Sequence, residues 1–172
     1  MRRKGAVRVQ VLVWRVACLS ALTALVASCG STGSRTDMSI SLESAKSRVI
    51  SMEQEIASRV PEEYVVSRSA QDTSSLMSCG GDRKQWTGAT EVQLNPGLDR
   101  DLFLDDLARS LSGRDGWDVN EDRDTNGERR LDVVNQDGTE LLISFYSAPE
   151  TLRVAGFSAC FDFPEYQYGE KY

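Results

Sequence analysis

The chemistry open to this 172-residue chain rests on carboxylates and cysteines, because it contains no histidine. That removes Ser-His-Asp and Cys-His nucleophilic mechanisms and histidine-based zinc or iron sites. The sharpest constellation is Asp122-Arg123-Asp124-Thr125-Asn126-Gly127. It matches the start of a calcium loop, with side-chain oxygens on alternate residues and a glycine at the bend. Calcium takes roughly six to eight hard oxygen ligands, and this run would supply three. The match then fails. Val133 stands where a bidentate glutamate belongs, Arg129 stands where an apolar residue belongs, and Arg130 adds a second positive charge. The run therefore reads as a polar β-hairpin tip with Asn126-Gly127 at the turn, with a weak calcium loop as the alternative. Asp105 and Asp106, adjacent on a helical pattern, point in different directions and read as a solvated face. No glycine-rich phosphate loop follows a strand. No catalytic, metal-binding or cofactor-binding residue is assigned, and no cofactor is expected.

The cysteines carry more information. Arg2, Arg3, Lys4, Arg8 and Arg15 make a cationic start with no acidic residue, and Val16 to Val26 is a short apolar run. That run falls below the roughly 20 apolar residues of a membrane-spanning helix. A cationic start, a short apolar core and small residues at its end describe a secretory signal peptide. Cys29 follows at once. Leu25-Val26-Ala27-Ser28-Cys29 resembles the lipobox of bacterial lipoproteins: an aliphatic residue, two small residues, then cysteine. The resemblance implies a diacylglyceryl group on the Cys29 thiol and cleavage between Ser28 and Cys29 by signal peptidase II. The mature chain would be anchored on the extracytoplasmic face of the cell membrane, since two acyl chains are about the minimum for stable anchoring. The bland alternative is an uncleaved apolar anchor with a coincidental cysteine. Cys18 would leave with residues 1–28.

All five charges of residues 1–28 are basic, so of 20 Lys+Arg and 26 Asp+Glu the remainder keeps 15 and 26, a net charge of −11. That balance argues against binding nucleic acid or anionic head groups through a basic surface. The expected partners are the lipid bilayer, through acylated Cys29, and an envelope protein. With Cys29 on lipid, Cys79 and Cys160 are left. Disulfides persist outside the cytoplasm and one pair allows one connectivity, so Cys79–Cys160 is expected, with two buried free thiols as the alternative.

The elements that must position these residues follow from the pattern. Residues 1–28 form the signal peptide, and 29–38 the lipidated cysteine and a polar tether with a reach of roughly 15 Å. Residues 39–163 form one α+β domain. Leu42, Ala45, Val49, Met52, Ile56 and Val60 recur at steps of three and four, which predicts a helix over 39–60. Ser39 or Ser41 caps it, and Pro61 ends it. The stripe suits packing on a sheet, or a coiled-coil seam. Tyr64 to Val66, Ser75 to Cys79 and Trp86 to Leu94 read as strands. A second helix runs from an Asp99 cap to Leu111, with Leu98, Leu102, Leu107 and Leu111 on its apolar face and Phe103 beside them. Turn signals at Asn126-Gly127, Asp137-Gly138 and Ala148-Pro149-Glu150 divide the last third into an antiparallel meander. The fold expected is an antiparallel sheet of about four or five strands with two helices on one face. Residues 164–172 read as a loosely attached tail. The aromatic residues Trp86, Trp117, Phe103, Phe145, Phe157 and Phe161 read as core, with a ligand groove as the alternative.

Cys79, Trp86-Thr87-Gly88 and Ser158-Ala159-Cys160-Phe161 resemble small uncharacterised lipoproteins of actinobacteria. The resemblance supports the disulfide and the fold, and implies no activity. The function expected is a non-catalytic binding or envelope interaction module, docking through the first-helix stripe or the sheet edges. The alternatives are a carboxylate-based envelope hydrolase and a weak calcium-binding domain.

Overall fold

The computed structural model describes residues 40–148 and 150–172. The expectations at Ser28, Cys29, the tether and Pro149 lie outside the described residues. The first helix, α1, is Leu42–Ala57, shorter than the expected span at both ends. Ser41 caps it, its hydroxyl accepting from the Ser44 amide at 3.2 Å. Pro61 follows and leads into a single 3-10 turn, Glu62–Tyr64. Then come β1 (Val65–Gln71), β2 (Met77–Gly80), β3 (Arg83–Gln85), β4 (Thr87–Leu94) and α2 (Arg100–Ser112). The chain ends with β5 (Trp117–Arg123), β6 (Arg129–Asn135), β7 (Glu140–Ser147), β8 (Glu150–Phe157) and β9 (Phe161–Asp162).

The domain is α+β, as expected, but richer in strands. A six-stranded antiparallel sheet runs β1-β4-β8-β7-β6-β5, and a three-stranded sheet runs β2-β3-β9. The expected meander is β5 to β8, and β4 adds to its β8 edge. Alternate residues point to one face. Leu131, Ile143 and Val154 lie side by side across β6, β7 and β8, and Phe145, Leu152 and Val92 across β7, β8 and β4. Against that face α1 packs on β4 and β8, and α2 on β5 and β6. Met52 and Ile56 of α1 and Leu104, Leu107 and Leu111 of α2 join the same core. No helix among the described residues is long and apolar enough to cross a membrane.

A second cluster joins Ala45 and Val49 of α1 to Leu76, Trp86 and Phe161, the last on β9 of the small sheet. The Trp86 ring lies over Gly88, where a Cβ would come within 2.6 Å of the ring. A tryptophan here therefore needs the glycine two residues on. Ser158 completes the motif: its hydroxyl accepts from the Trp86 amide at 3.0 Å, and its own amide donates to the Trp86 carbonyl at 2.9 Å. Cys160 follows and forms the expected disulfide with Cys79, with Cα atoms 6.3 Å apart. The C-terminal segment is not loosely attached. The Tyr172 carbonyl accepts from the Ser74 amide at 2.9 Å and from the Trp86 indole at 3.1 Å. Its ring packs edge-on against Phe163, with centroids 5.2 Å apart.

Candidate functional site

The first-helix stripe expected to dock a partner is spent on the core: Ala45, Val49, Met52, Ile56 and Val60 are all buried. The second helix departs from expectation in the opposite sense. Its core residues are Leu104, Leu107 and Leu111, whereas Leu102 is 55% exposed. Leu107 and Leu111 are buried as expected, and Leu104 takes the place expected of Leu102. Asp99 Oδ1 accepts from the Leu102 amide at 3.0 Å and the Asp99 carbonyl accepts from the Phe103 amide at 3.0 Å. These bonds set the start of the helix, and at about 100° per residue Leu102 lies on the side opposite the buried Leu104, Leu107 and Leu111, so it faces away from the sheet.

Leu102 borders a groove of about 560 Å³ between the segment that follows α1 and the first turns of α2. That volume is in the range of small-ligand sites. One wall is Pro61 and Tyr64; the other is Leu98, Leu102, Phe103 and Leu107; Gly97 sits between them. Gly97 has φ of +114° and packs near the Tyr64 ring, conditions that favour glycine. Phe103 is fixed from below by Phe145, edge-on at 5.8 Å. Of the aromatic residues proposed for a groove, Phe103 lines it, while Trp86, Phe145 and Phe161 are buried in the two clusters. Arg59, Asp99 and Asp106 stand in its wall as the charged groups. The Arg59 guanidinium is held by Ser110 Oγ at 2.8 Å and Glu55 Oε1 at 3.3 Å. Asp106 pairs with Arg109 at 2.7 Å. The groove thus presents an apolar floor with polar groups at its margin and no pair of converging carboxylates among the described residues.

The Asp122–Gly127 run forms the β5–β6 hairpin tip, and its carboxylates are engaged. Asp124 Oδ1 accepts from the Asn126 and Glu128 amides at 2.8 and 2.9 Å, and Gly127 takes φ of +82°. Asp122 Oδ2 pairs with Arg130 at 2.8 Å. Asp105 binds Arg129 at 2.5 Å, and that arginine also reaches Glu121 at 2.9 Å and Asp101 at 3.4 Å. The hydrogen bonds that Arg129 donates to Glu121 and Asp105 hold its guanidinium firmly protonated. The network fastens α2 to the hairpin.

One carboxylate was missed. Glu53 of α1 is 0% exposed, wedged between helix and sheet. Its Oε2 accepts from Thr90 Oγ1 at 3.1 Å, and Oε1, beside the Gly156 backbone, has no well-formed hydrogen bond among the described residues. It fits because position 156 is glycine: a Cβ there would stand 2.6 Å from Oε1 and collide with Val49. Burial raises the Glu53 pKa to about 7, and the Thr90 hydroxyl, the Gly156 backbone and the positive charge of Arg153 offset only part of that. The signal was present in the sequence, since Ala45, Val49 and Glu53 follow at steps of four on the buried stripe.

No family model matches this chain, and no curated protein matches it. Among solved structures, the chain is similar to the crystal structure of a DUF4853 family protein from Actinomyces odontolyticus, with a TM-score of 0.45 and 19% identity over 72% of this chain and 70% of that one.

Proposed function

We propose that this chain is a lipid-anchored, extracytoplasmic binding module that engages an envelope partner through the groove beside the first turns of α2. The observation that carries the binding reading is Leu102, a large apolar side chain held in solvent beside a ligand-sized apolar floor. Leaving it exposed forgoes roughly 1 to 2 kcal/mol of burial, which a bound partner would recover. Anchoring is supported by the cationic start, the short apolar run and the box ending at Cys29. The domain would then sit close to the bilayer, where partners are confined to the same surface and binding of modest affinity suffices.

The anchoring half is tested by intact-mass analysis of the chain recovered from bacterial membranes. The expected product begins at Cys29 and carries a diacylglyceryl mass, and Cys29→Ala leaves the chain uncleaved and unlipidated. Recovery of an unmodified Cys29 thiol would remove this half of the proposal.

A further inference from the structure

Deepening that reading of the groove, we infer that its occupant is a cationic amphipathic helix of a protein partner, with an apolar anchor bracketed by basic residues one turn to either side. The wall formed by α2 presents Asp99, Leu102, Phe103 and Asp106 to the groove. Their steps of three and four place all four on one helical face. An apolar pair thus lies between two carboxylates about one helical turn away on each side, and a turn is about 5.4 Å. A helix laid along this wall matches it by placing lysine or arginine three or four residues before and after a leucine-type anchor.

The existing partners of these carboxylates leave room for such a guest. Asp99 spends Oδ1 on the helix cap and forms no ion pair among the described residues. Asp106 is paired with Arg109, but that pair is largely exposed, with side chains 61% and 73% accessible. Such pairs are worth little, so an incoming cation exchanges with Arg109 at small cost. Glu63, exposed on the 3-10 turn between the lining residues Pro61 and Tyr64, adds a further negative charge to that segment. The groove's own cation, Arg59, is already bound to Glu55 and Ser110. The excess of acid over base in residues 29–172 steers a cationic segment toward the domain and disfavours an acidic one.

The test uses the full chain in phosphatidylcholine nanodiscs, with empty nanodiscs as the blank. The probe is a fluorescent alanine-based helical peptide with one leucine pair and a lysine one turn before and after it. Its counterpart carries glutamate at the lysine positions. The lysine peptide is expected to bind about tenfold more tightly at low salt, with the difference shrinking to about twofold in 0.5 M NaCl. Leu102→Ser, at a position outside the core, is expected to abolish binding while the chain still unfolds in one cooperative transition a few degrees lower at most, and Asp106→Asn to reduce the lysine preference. Equal binding of both peptides, lost in Leu102→Ser, would overturn the cationic partner and leave the groove reading standing. Binding indifferent to Leu102→Ser, or no binding of either peptide, would overturn both.

Discussion

Glu53 makes the stability of this domain fall as pH rises, the reverse of the usual acid lability. Its folded-state pKa is about 7 against an ordinary 4.5. Below pH 4.5 the carboxyl is protonated in both folded and unfolded chains, and its favourable contribution is fully present. Between 4.5 and 7 the unfolded chain releases the proton while the folded chain keeps it, so unfolding is increasingly favoured. The slope approaches about 1.4 kcal/mol per pH unit, and the loss levels off above pH 7 at about 3 kcal/mol. Two other carboxylates work in a separate window. Hydrogen bonds from Arg114 hold the Glu55 pKa below its usual value, and those from Arg68 do the same for Glu62. Their contributions are lost as pH falls below 4.5. The chain has no histidine, the side chain that ordinarily titrates between pH 5 and 8. The assay is urea unfolding at pH 4.5, 5.5, 6.5, 7.5 and 8.5 on the wild type and Glu53→Gln. The wild type should lose about 3 kcal/mol across the series, and the amide variant should stay level within about 0.5 kcal/mol above pH 5. A wild-type profile that is flat or rising from pH 5 to 7.5 would refute the reasoning, as would an unchanged slope in Glu53→Gln.

Three further outcomes follow from the packing. Gly156→Ala places a methyl against Val49 and Glu53 Oε1, and should cost about 1 to 3 kcal/mol in denaturant unfolding by prising α1 off the sheet. Reducing Cys79–Cys160 opens a link between residues 81 apart in sequence, and loop entropy puts the loss at about 4 to 5 kcal/mol, visible as a lower melting temperature with dithiothreitol. Calcium should leave the melting temperature unchanged relative to chelator, because Asp124 is occupied by two hairpin amides and Asp122 by Arg130; a rise of several degrees would reinstate the calcium loop.

How much of this was legible depended on whether a residue's partner is near it in sequence. The α1 stripe, the Asp99 cap and the Asn126-Gly127 hairpin are local signals, and the structure follows them. β1 was read only to Val66, because Ser67 to Gln71 is polar. The structure makes it an edge strand exposed along nearly its whole length, which needs no apolar alternation. β3 and β9 are too short to carry a period, and their pairing spans Arg83 to Asp162. The tail read as loose because three tyrosines among polar residues give no periodicity, and its anchors, Ser74 and Trp86, are distant in sequence. The groove was hidden by the reading that assigned Leu102 to the apolar face of α2; its five-residue step to Leu107 turns it about 140° away, and Leu104, three residues before Leu107, was the residue that shares the buried face. The spacing of Glu53 places it on the buried stripe of α1, but its residue type argued against burial, since glutamates are rarely buried and the space that receives it depends on the distant Gly156.

The measurement that tests the account most directly is site-specific photocrosslinking on intact membranes, with the crosslinker at position 102 and, as control, at position 69 on the exposed β1 strand. The account predicts one recurrent protein adduct at position 102, none at 69, and loss of the adduct in Cys29→Ala and at high salt, with the adducted peptide a basic amphipathic segment. Equal labelling at both positions, or an adduct at 102 that survives release from the membrane and high salt, would contradict it.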